Sequence, residues 1–597
     1  MFRLLLFLIP FFFYGRPTHP NIVLILTDDL GWQDVGCYDI GKPCPYETPQ
    51  IDQLAREGVL FWQAYSPAPT CAPSRASILS GKHPARLQKT HVVGGAPPAP
   101  YVTNSPLMSP WYSGRMPTSE ITIAEALKEA GYKTGHVGKW HAAINHRAFP
   151  GPSDQGFDFT RMSIGATKKM PNRLADFASS AETDPFRLDE NGFPFHQNSE
   201  DALEFLRTVE DKPFFLYYAT WLVHTPIHTR SEALLRKYCK KMKVPFPSNP
   251  KTWKIPGQKN PYYAAMVESL DYYIGQLLSH FKETDDPRWP GHKLVENTYI
   301  IFSSDNGGME THPGEIITDN APLDKGKINA REGGVRVPLI IKGPGIPAGA
   351  QSQAMVNGLD FYPSILSWTR TPRPPTQDLD GANLASYLTG KLADIAKIGP
   401  GRDTMVWHFP HASMQSTIRQ GKFKLIRRWQ DALLNRPALE LFDLDADIAE
   451  AKNLAGAMPE KARQMDQLLE KNLRAMKASQ PYLNPTCKAK FPGKDSVCTP
   501  LNRGRDGNRV WLNFRENGAR VVRGQLIYTD NGGHKYEEWY RAEAKLKGKR
   551  LEAQLSAGAT HYVFNLIDEN HFLVSHPRMK LETDRSAPFS ARAIAVE

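Results

Sequence analysis

Residues 21–29 read NIVLILTDD, and this stretch predicts the central strand of the fold. An almost unbroken aliphatic run predicts a strand that is buried on both faces, as in a mainly parallel sheet covered by helices. Further strands are predicted at 133–137, 213–219, 298–302 and 337–341, with helical patterns between them. The sequence therefore predicts an α/β fold, in which helices sandwich a large mixed but mainly parallel sheet.

The length of 597 residues predicts several domains, because one domain usually has about 100–200 residues. We expect an α/β domain over 20–400, a smaller α+β subdomain over 401–485 and a β-rich accessory module over 486–597. A hydrophobic content of 41% excludes a disordered or collagen-like chain.

An apolar run at the N-terminus, Leu4–Phe13, follows Arg3 and is too short to cross a bilayer. The run predicts a signal peptide over residues 1–19. We therefore expect a secreted or periplasmic protein without stable membrane insertion.

The charge of the chain is basic, with 73 Lys and Arg against 62 Asp and Glu. More than half of the excess lies in residues 486–597, which carry 19 Lys and Arg against 13 Asp and Glu. A basic surface favours polyanions, although it can also be merely a soluble surface. For an exported protein, acidic polysaccharide is the more natural partner, and we expect no nucleic acid.

Polar side chains follow two of the predicted strands. Asp28 and Asp29 come directly after the first strand, and Asp305 and Asn306 follow the strand that ends at Phe302. In a parallel α/β sheet, ligands bind beyond the carboxyl ends of the strands. Three carboxylates and an amide oxygen form a hard, all-oxygen set that suits Ca²⁺ or Mg²⁺.

A second group of residues, Cys71 to Arg75, lies at the start of a short predicted helix. The positive end of that helix would attract an anion, and Arg75 follows Cys71 by one turn. A lone Cys is more often a small buried apolar residue than a nucleophile. Only the wider motif can therefore indicate whether Cys71 is a nucleophile.

Taken together, the motifs of residues 20–480 resemble those of the formylglycine-dependent sulfatases, members of the alkaline phosphatase superfamily. The motifs are Asp28-Asp29-Leu30-Gly31, Cys71-x-Pro73-Ser74-Arg75 with Leu79-x-Gly81, Gly138-Lys139-Trp140-His141, His224-Thr225-Pro226, Asp305-Asn306-Gly307, and Lys327 five residues before Glu332-Gly333-Gly334. The resemblance implies a sulfuric ester hydrolase with an alkaline phosphatase-like fold.

The resemblance also implies a role for each matching residue. A sulfatase-maturating enzyme would oxidise Cys71 to formylglycine, whose hydrated aldehyde, a geminal diol, is the nucleophile. The residues implied as ligands of Ca²⁺, or alternatively Mg²⁺, are Asp28, Asp29, Asp305, Asn306 and the modified Cys71. Arg75 and Lys139 would stabilise the ionised diol, and His141 would remove a proton from it.

Three residues are implied as sulfate contacts, namely Lys139, His224 and Lys327. His224 is the implied general acid, and Lys327 competes for that role. Lys325, two residues earlier, is an alternative to Lys327 as the active lysine.

The substrate is expected to be a sulfated polysaccharide or oligosaccharide. Similar His-rich segments in carbohydrate-acting relatives reach over the pocket, as 407–411 would here. The candidate sugar-binding residues are His408 and His411 of that segment, and also His228, His312 and Arg331. Two alternatives stay open, namely a phosphonate or phosphate ester hydrolase of the same superfamily and a non-catalytic polyanion-binding protein.

Overall fold

A computed structural model of the chain describes most of its residues. The described ranges are 15–40, 43–92, 95–100, 104–144, 149–162, 177–247, 252–389, 401–434, 436–490, 492–579 and 588–596. Most of the expected signal peptide, residues 1–14, lies outside these ranges. Within them, no helix is long and apolar enough to cross a membrane.

An eight-stranded sheet forms the centre of the molecule. In chain order its strands are β1 (Asn21–Thr27), β2 (Val59–Tyr65), β5 (Lys133–Gly138), β6 (Phe159–Met162), β7 (Phe214–Ala219), β8 (Thr298–Ser304), β11 (Leu339–Lys342) and β12 (Ala350–Asn357). Their spatial order is β12-β2-β11-β8-β1-β7-β5-β6. Only β11 is antiparallel to its neighbours, so the sheet is mixed but mainly parallel, as predicted.

Helices cover both faces of this sheet. One face carries α1 (Pro49–Arg56), α5 (Gln197–Arg207), α6 (Glu232–Met242) and α7 (Pro261–Glu283), whose apolar residues join the first core cluster. The other face carries α2 (Cys71–Ser80), α4 (Ile123–Glu129), α9 (Phe361–Thr369) and α10 (Ala385–Leu388), which join the second. Strand β1 lies between the two clusters and is buried along its whole length, as the run of aliphatic residues predicted.

Shorter elements lie in the connections. They are the helices α3 (Pro84–Leu87) and α8 (Glu332–Val335), the pair β9 (Thr311–His312) and β10 (Glu315–Ile316), and a small sheet of β3 (Ala99–Pro100), β4 (Leu107–Ser109) and β17 (Tyr482–Leu483). Strand β17 comes from the C-terminal part of the chain and pairs with β4. This pairing ties the two parts of the chain together.

Two antiparallel sheets follow the central one along the chain. The first has β13 (Thr404–Phe409), β14 (Gln415–Gln420), β15 (Phe423–Arg428) and β16 (Leu439–Asp443), covered by α11 (Pro459–Ala475). The second has β18 (Thr499–Asp506), β19 (Arg509–Arg515), β20 (Val521–Thr529), β21 (Trp539–Lys547), β22 (Arg550–Gln554), β23 (His561–Asp568), β24 (Leu573–His576) and β25 (Ile594–Ala595).

This architecture confirms the predicted fold class of a sandwiched α/β sheet with a smaller α+β region and a β-rich region. The predicted domain limits at 400 and 485 stay a prediction.

Candidate active site

The candidate site lies at the carboxyl ends of β1 and β8, parallel neighbours in the middle of the central sheet. The last residues of the two strands pair with each other, so the residues that follow leave the sheet side by side. The backbone N–H of Asp29 donates to Asp305 Oδ1 over 3.4 Å. Asn306 Nδ2 donates to Asp29 Oδ1 over 2.8 Å. The two polar pairs predicted from the sequence therefore form one buried cluster.

The residues of this cluster offer a set of ligand atoms. One atom each of Asp28, Cys71 and Asp305 lie within 4.8 Å of one another, and all three residues are buried. In the described parts of the chain, the buried Oδ1 atoms of Asp28 and Asn306 have no hydrogen-bond partner. Buried polar atoms are ordinarily paired. Two unpaired oxygens beside carboxylates therefore fit a hard divalent cation, for which oxygen is the preferred ligand.

Three cations face the carboxylates of the cluster. Arg75 Nε lies 2.7 Å from Asp305 Oδ2, Lys327 Nζ lies 2.7 Å from Asp29 Oδ1, and Lys139 Nζ forms a short ion pair with Asp28. Arg75 also donates from Nη1 to the carbonyl of Lys139 over 3.0 Å. Each buried carboxylate thus has its own cation, as buried charges require.

The pKa values of the carboxylates differ because their surroundings differ. Burial alone would raise the pKa of Asp28, but Lys139, His224 and Arg75 outweigh it and hold that pKa below its usual range. Burial, followed by repulsion from Asp28, raises the pKa of Asp305 to about 6. The cluster is therefore crowded with negative charge in spite of its cations.

Cys71 is the first residue of α2, a helix of ten residues that is buried throughout. The loop before it is held by Ser74, whose Oγ donates to the carbonyl of Ala68 over 3.0 Å and accepts from the N–H of Ala68 over 3.1 Å. Burial raises the pKa of the Cys71 thiol. The helix N-terminus and the cations favour negative charge at this position, while burial opposes it.

The structure distinguishes the two candidate lysines. Lys327 is anchored at its backbone N–H, which donates to the carbonyl of Gly308 over 3.1 Å, and its side chain reaches Asp29. The Lys325 side chain is 58% exposed and lies 3.9 Å from the carboxylate of its neighbour Asp324. Only Lys327 points into the cluster, in agreement with the spacing to Glu332.

His224 lies at the edge of the cluster. Its Nε2 is 3.7 Å from Asp29 Oδ2, and its Nδ1 is 2.7 Å from the carbonyl oxygen of Thr225. Sequence reasoning missed Trp221, whose ring centroid lies 4.5 Å from Lys139 Nζ and 4.5 Å from the ring of His224. The available signal was its place in the same loop, three residues before His224.

His141 follows β5 and is half-buried, with its Nε2 3.1 Å from the carbonyl oxygen of Val92. His312 is exposed on β9. Burial and then the neighbouring charge of Lys327 lower the pKa of His312, which therefore lies within electrostatic range of the cluster. The predicted roles of His141 and His312 stay predictions.

The expectation that His408 and His411 bind sugar is corrected, because both are packed inside the protein. His408 has both ring nitrogens engaged, 2.7 Å from Ser416 Oγ and 2.9 Å from the carbonyl of Ser479. Burial lowers the pKa of His408 to about 4. His411 is 1% exposed and stacks on the ring of His91, with 4.9 Å between centroids.

Arg331 and His228 are corrected in the same way. Arg331 lies 3.0 Å from both Asp324 and Glu440. Its charge therefore joins the central domain to β16 of the four-stranded sheet. His228 is 6% exposed, and its backbone N–H donates to the sulfur of Met266 in α7 over 3.2 Å. Both residues are buried.

A cleft of about 350 Å³ lies beside Lys327, and it includes residues that sequence reasoning missed. Its lining is Met309, Glu310, Thr311, Lys325, Gly326, Lys327, Ile328, Asn329, Ala412 and Ser413. The segment that follows His411 therefore does reach the site, through Ala412 and Ser413. The predicted segment, 407–411, ends just before these two lining residues.

The chain is similar to known sulfatases. The sequence pattern of the family Sulfatase matches residues 20–371, and that of the C-terminal region of N-sulphoglucosamine sulphohydrolase matches residues 325–479. A sulfatase of Formosa agariphila is 29% identical over 547 residues, which cover 80% of this chain and 93% of that protein. The N-acetylgalactosamine-6-sulfatase of Rattus norvegicus is 32% identical over 400 residues, which cover 64% of this chain and 68% of that protein.

A solved structure shares the fold. The crystal structure of Ps i-CgsB in complex with k-i-k-neocarrahexaose superimposes with a TM-score of 0.57 at 26% identity, covering 76% of this chain and 93% of that one. The first family match alone spans more than half of the chain, and it includes each of the motifs described above. This chain therefore belongs to the sulfatase family, whose members hydrolyse sulfate esters.

Proposed function

We propose that this sulfatase removes sulfate from a sulfated polysaccharide or oligosaccharide, using a formylglycine made from Cys71 and a bound Ca²⁺. The observation that carries the proposal is the position of Cys71. Its sulfur lies within 4.8 Å of ligand atoms of Asp28 and Asp305, at the N-terminus of a buried helix. A cysteine that served only packing would have apolar neighbours instead of this ring of charges.

The proposed cation site consists of Asp28, Asp29, Asp305, Asn306 and the modified side chain at position 71. Asp28 Oδ1 and Asn306 Oδ1 would gain the partner that they lack among the described residues. An all-oxygen set favours Ca²⁺, with Mg²⁺ as the alternative. When bound, the cation supplies positive charge that offsets the charge of the sulfate ester.

The proposed modification replaces the Cys71 thiol by an aldehyde, through a sulfatase-maturating enzyme. Cys71 is 2% exposed, so that enzyme would have to reach it before the domain folds. The hydrated aldehyde supplies a hydroxyl nucleophile in place of the thiol.

The three cations of the cluster would act on negative charge. Arg75, which lies in the same helix as Cys71, and Lys139 would stabilise an oxyanion at position 71. Lys139, Lys327 and His224 would contact the sulfate. Because these groups are already held by buried partners, little reorganisation is needed when charge develops in the transition state.

The two histidines would move protons. His224 Nδ1 carries a proton, because its partner, the carbonyl oxygen of Thr225, can only accept a hydrogen bond. His224 Nε2, which faces Asp29, is therefore the nitrogen that gains and loses a proton. As imidazolium, His224 would protonate the leaving alcohol, a role for which Lys327 is the alternative. His141, whose Nε2 donates to the carbonyl oxygen of Val92, would accept a proton from the hydroxyl at position 71.

A saccharide substrate is supported by the cleft beside Lys327. Its lining includes Glu310, Thr311, Asn329 and Ser413, which can donate to or accept from sugar hydroxyls. Ser413 Oγ is buried and lacks a hydrogen-bond partner in the described residues. His312, which follows the lining residue Thr311, remains a further candidate.

The names of the relatives also support a saccharide as the substrate. The rat relative is an N-acetylgalactosamine-6-sulfatase, and the superimposed structure holds a neocarrahexaose. Export through the apolar run at Leu4–Phe13 would bring the enzyme to such polymers. The proposed location is therefore secreted or periplasmic.

The test is a comparison of substrates with the matured enzyme. We expect a higher kcat/KM for at least one sulfated oligosaccharide than for 4-nitrophenyl sulfate, and a low value for matched phosphate esters. Equal or faster turnover of the aryl sulfate than of every oligosaccharide in the panel would overturn the saccharide proposal. Faster turnover of the phosphate esters would overturn the choice of sulfate.

A further inference from the structure

The β-rich module has an outer sheet face that is rich in cations. We call it the basic face and define it by Arg509, Trp511, Lys545, Lys547, Arg550 and Glu552, on β19, β21 and β22. Directly paired residues point to the same side of a sheet. Trp511 pairs with Glu552, and Lys545 pairs with Glu552 as well, so the register places these side chains together.

The alternation of burial along β19 shows which side of this sheet faces solvent. Val510, Leu512 and Phe514 are buried in the core of the module. Arg509 and Arg515 are exposed. This strict alternation is typical of a sheet with one packed face and one solvated face.

The cations of the basic face outnumber its carboxylates. Glu552 is the shared partner of Arg509 at 2.7 Å, Lys547 at 2.8 Å and Arg550 at 3.5 Å. Lys545 forms no ion pair with any residue that the structure describes. Two other carboxylates lie on this side, namely Asp506, which pairs across the strands with Arg509, and Glu543, which lies two residues before Lys545 on β21 and 2.8 Å from Arg523. The face therefore keeps a net positive charge.

One cation on this face is held in place by an aromatic ring. The Arg550 guanidinium lies over the ring of Trp511, with Cζ 4.0 Å from the centroid. The Trp511 ring in turn occupies the space above Gly504, where a Cβ would meet Trp511 Cζ2 at 2.3 Å. Because stacking orders a guanidinium, this Arg550 loses less conformational entropy when it binds an anion.

From these observations we infer that the basic face binds a sulfated polysaccharide chain, apart from the site where sulfate is cleaved. The inference rests on the proposed function for the choice of sulfated saccharide over other polyanions. Several cations that share one or two carboxylates match a chain with a negative charge on successive sugars. The face lies outside both family matches, which end at residues 371 and 479.

The module is attached firmly to the catalytic part of the molecule, so a chain bound to this face would stay near the site. Trp111 Nε1 donates to the carbonyl of Trp539 over 2.7 Å. Arg115 Nε donates to Glu538 Oε1 over 2.6 Å. Binding at the face would raise the local concentration of sulfated sugars around the catalytic cleft.

The experiment compares two triple variants in the full-length chain with Cys71→Ala, so that no substrate is consumed. The first removes face cations by Arg509→Gln, Lys545→Gln and Lys547→Gln. The matched control, Lys490→Gln with Arg520→Gln and Lys535→Gln, removes the same charge from the same module outside the face. Binding is measured with chondroitin 6-sulfate, the same polymer after desulfation, double-stranded DNA, and phosphatidylserine vesicles.

We expect the face variant to weaken binding of chondroitin 6-sulfate by roughly tenfold or more and the control to change it little, because neighbouring cations act together on a polyanion. Equal losses in both variants would overturn the inference. So would equal binding of the desulfated polymer, or tighter binding of DNA or vesicles than of the sulfated polymer.

The same triple variants with Cys71 retained separate this inference from the proposed function. We expect the face variant to raise KM for the polymer while kcat and the turnover of 4-nitrophenyl sulfate stay unchanged. If no sulfated saccharide is hydrolysed but the Cys71→Ala chain still binds the polymer through the face, the proposed function fails and this inference stands. Hydrolysis of the polymer with an unchanged KM in the face variant overturns this inference alone.

Discussion

The catalytic cluster and the basic face both gather cations, but in opposite surroundings. The side chains of Arg75, Lys139 and Lys327 are 0%, 1% and 6% exposed, and each has its own carboxylate. Those of Arg509, Lys547 and Arg550 are 50%, 60% and 38% exposed, and they share Glu552. The positive charges of the first group are balanced by carboxylates and shielded from water, whereas those of the second group exceed the negative charge beside them and are solvated.

This difference teaches what each region can do. Charges act strongly on one another in a buried site and cannot remain there without partners. Such a site can stabilise one transition state in one geometry. Exposed charges are screened by salt and contribute little singly, so a face of this kind binds through several weak contacts at once.

The largest effect is expected at the centre of the buried cluster. Cys71→Ala removes the proposed nucleophile, and we expect sulfatase activity to fall by at least about 10⁴-fold, since loss of a nucleophile removes the covalent route. Rates of the matured enzyme and the variant on the same oligosaccharide check this. Retention of full activity would show that the nucleophile lies elsewhere.

Lys424 is a buried cation outside the cluster, and it tests the difference between buried and exposed cations. Lys424 Nζ lies 2.8 Å from Glu332 and 3.1 Å from Glu450, and all three side chains are fully buried. Lys424→Met removes the cation that Glu332 and Glu450 share and leaves Glu332 with Arg336 alone, so we expect a loss of about 3–5 kcal/mol in the free energy of unfolding.

The matched control for this buried cation is Lys545→Met on the basic face, which should change the free energy of unfolding by less than about 0.5 kcal/mol. Urea unfolding of both variants is the measurement. Similar losses would contradict the distinction between buried and exposed cations.

The two neighbouring lysines test the same distinction within the site. Lys327→Met removes a buried cation from Asp29, and we expect kcat/KM to fall by about 10²–10³-fold, as for a lost transition-state charge partner. Lys325→Met, at an exposed side chain, should lower kcat/KM on 4-nitrophenyl sulfate by less than about threefold. The reverse order would move the active lysine to Lys325.

Salt gives the smallest expected effect and acts on the basic face. Raising ionic strength shortens the range of charge interactions from about 10 Å at 0.1 M to about 3 Å at 1 M. We expect KM for a sulfated polymer to rise with salt while kcat for 4-nitrophenyl sulfate changes little. A face variant that keeps the full salt dependence would place the effect outside the basic face.

The central fold and the buried cluster could be predicted because their signals are local. The aliphatic run of β1 predicts a buried strand, and the acidic pair after it predicts a ligand site at the carboxyl end of that strand. Motif spacing also favoured Lys327 over Lys325, as the geometry does. The expectations for His408 and His411 failed because a histidine with aromatic neighbours in the sequence shows the same pattern whether its side chain packs in the core or binds a ligand.

The basic face could be predicted only in outline. The excess of Lys and Arg in residues 486–597 is visible in the sequence, but its arrangement is not. Trp511 covers Gly504, and Arg550 covers Trp511, through the register of three strands that are distant along the chain. Such contacts depend on strand pairing, which the local sequence pattern does not specify.

The central claim is that position 71 carries an aldehyde in the working enzyme. A mass spectrum of the peptide containing residue 71 tests it most directly, with active protein from the natural source or from a host that also produces a maturating enzyme. The account predicts the mass of formylglycine in place of cysteine. Fully active protein whose peptide keeps the intact thiol would contradict it.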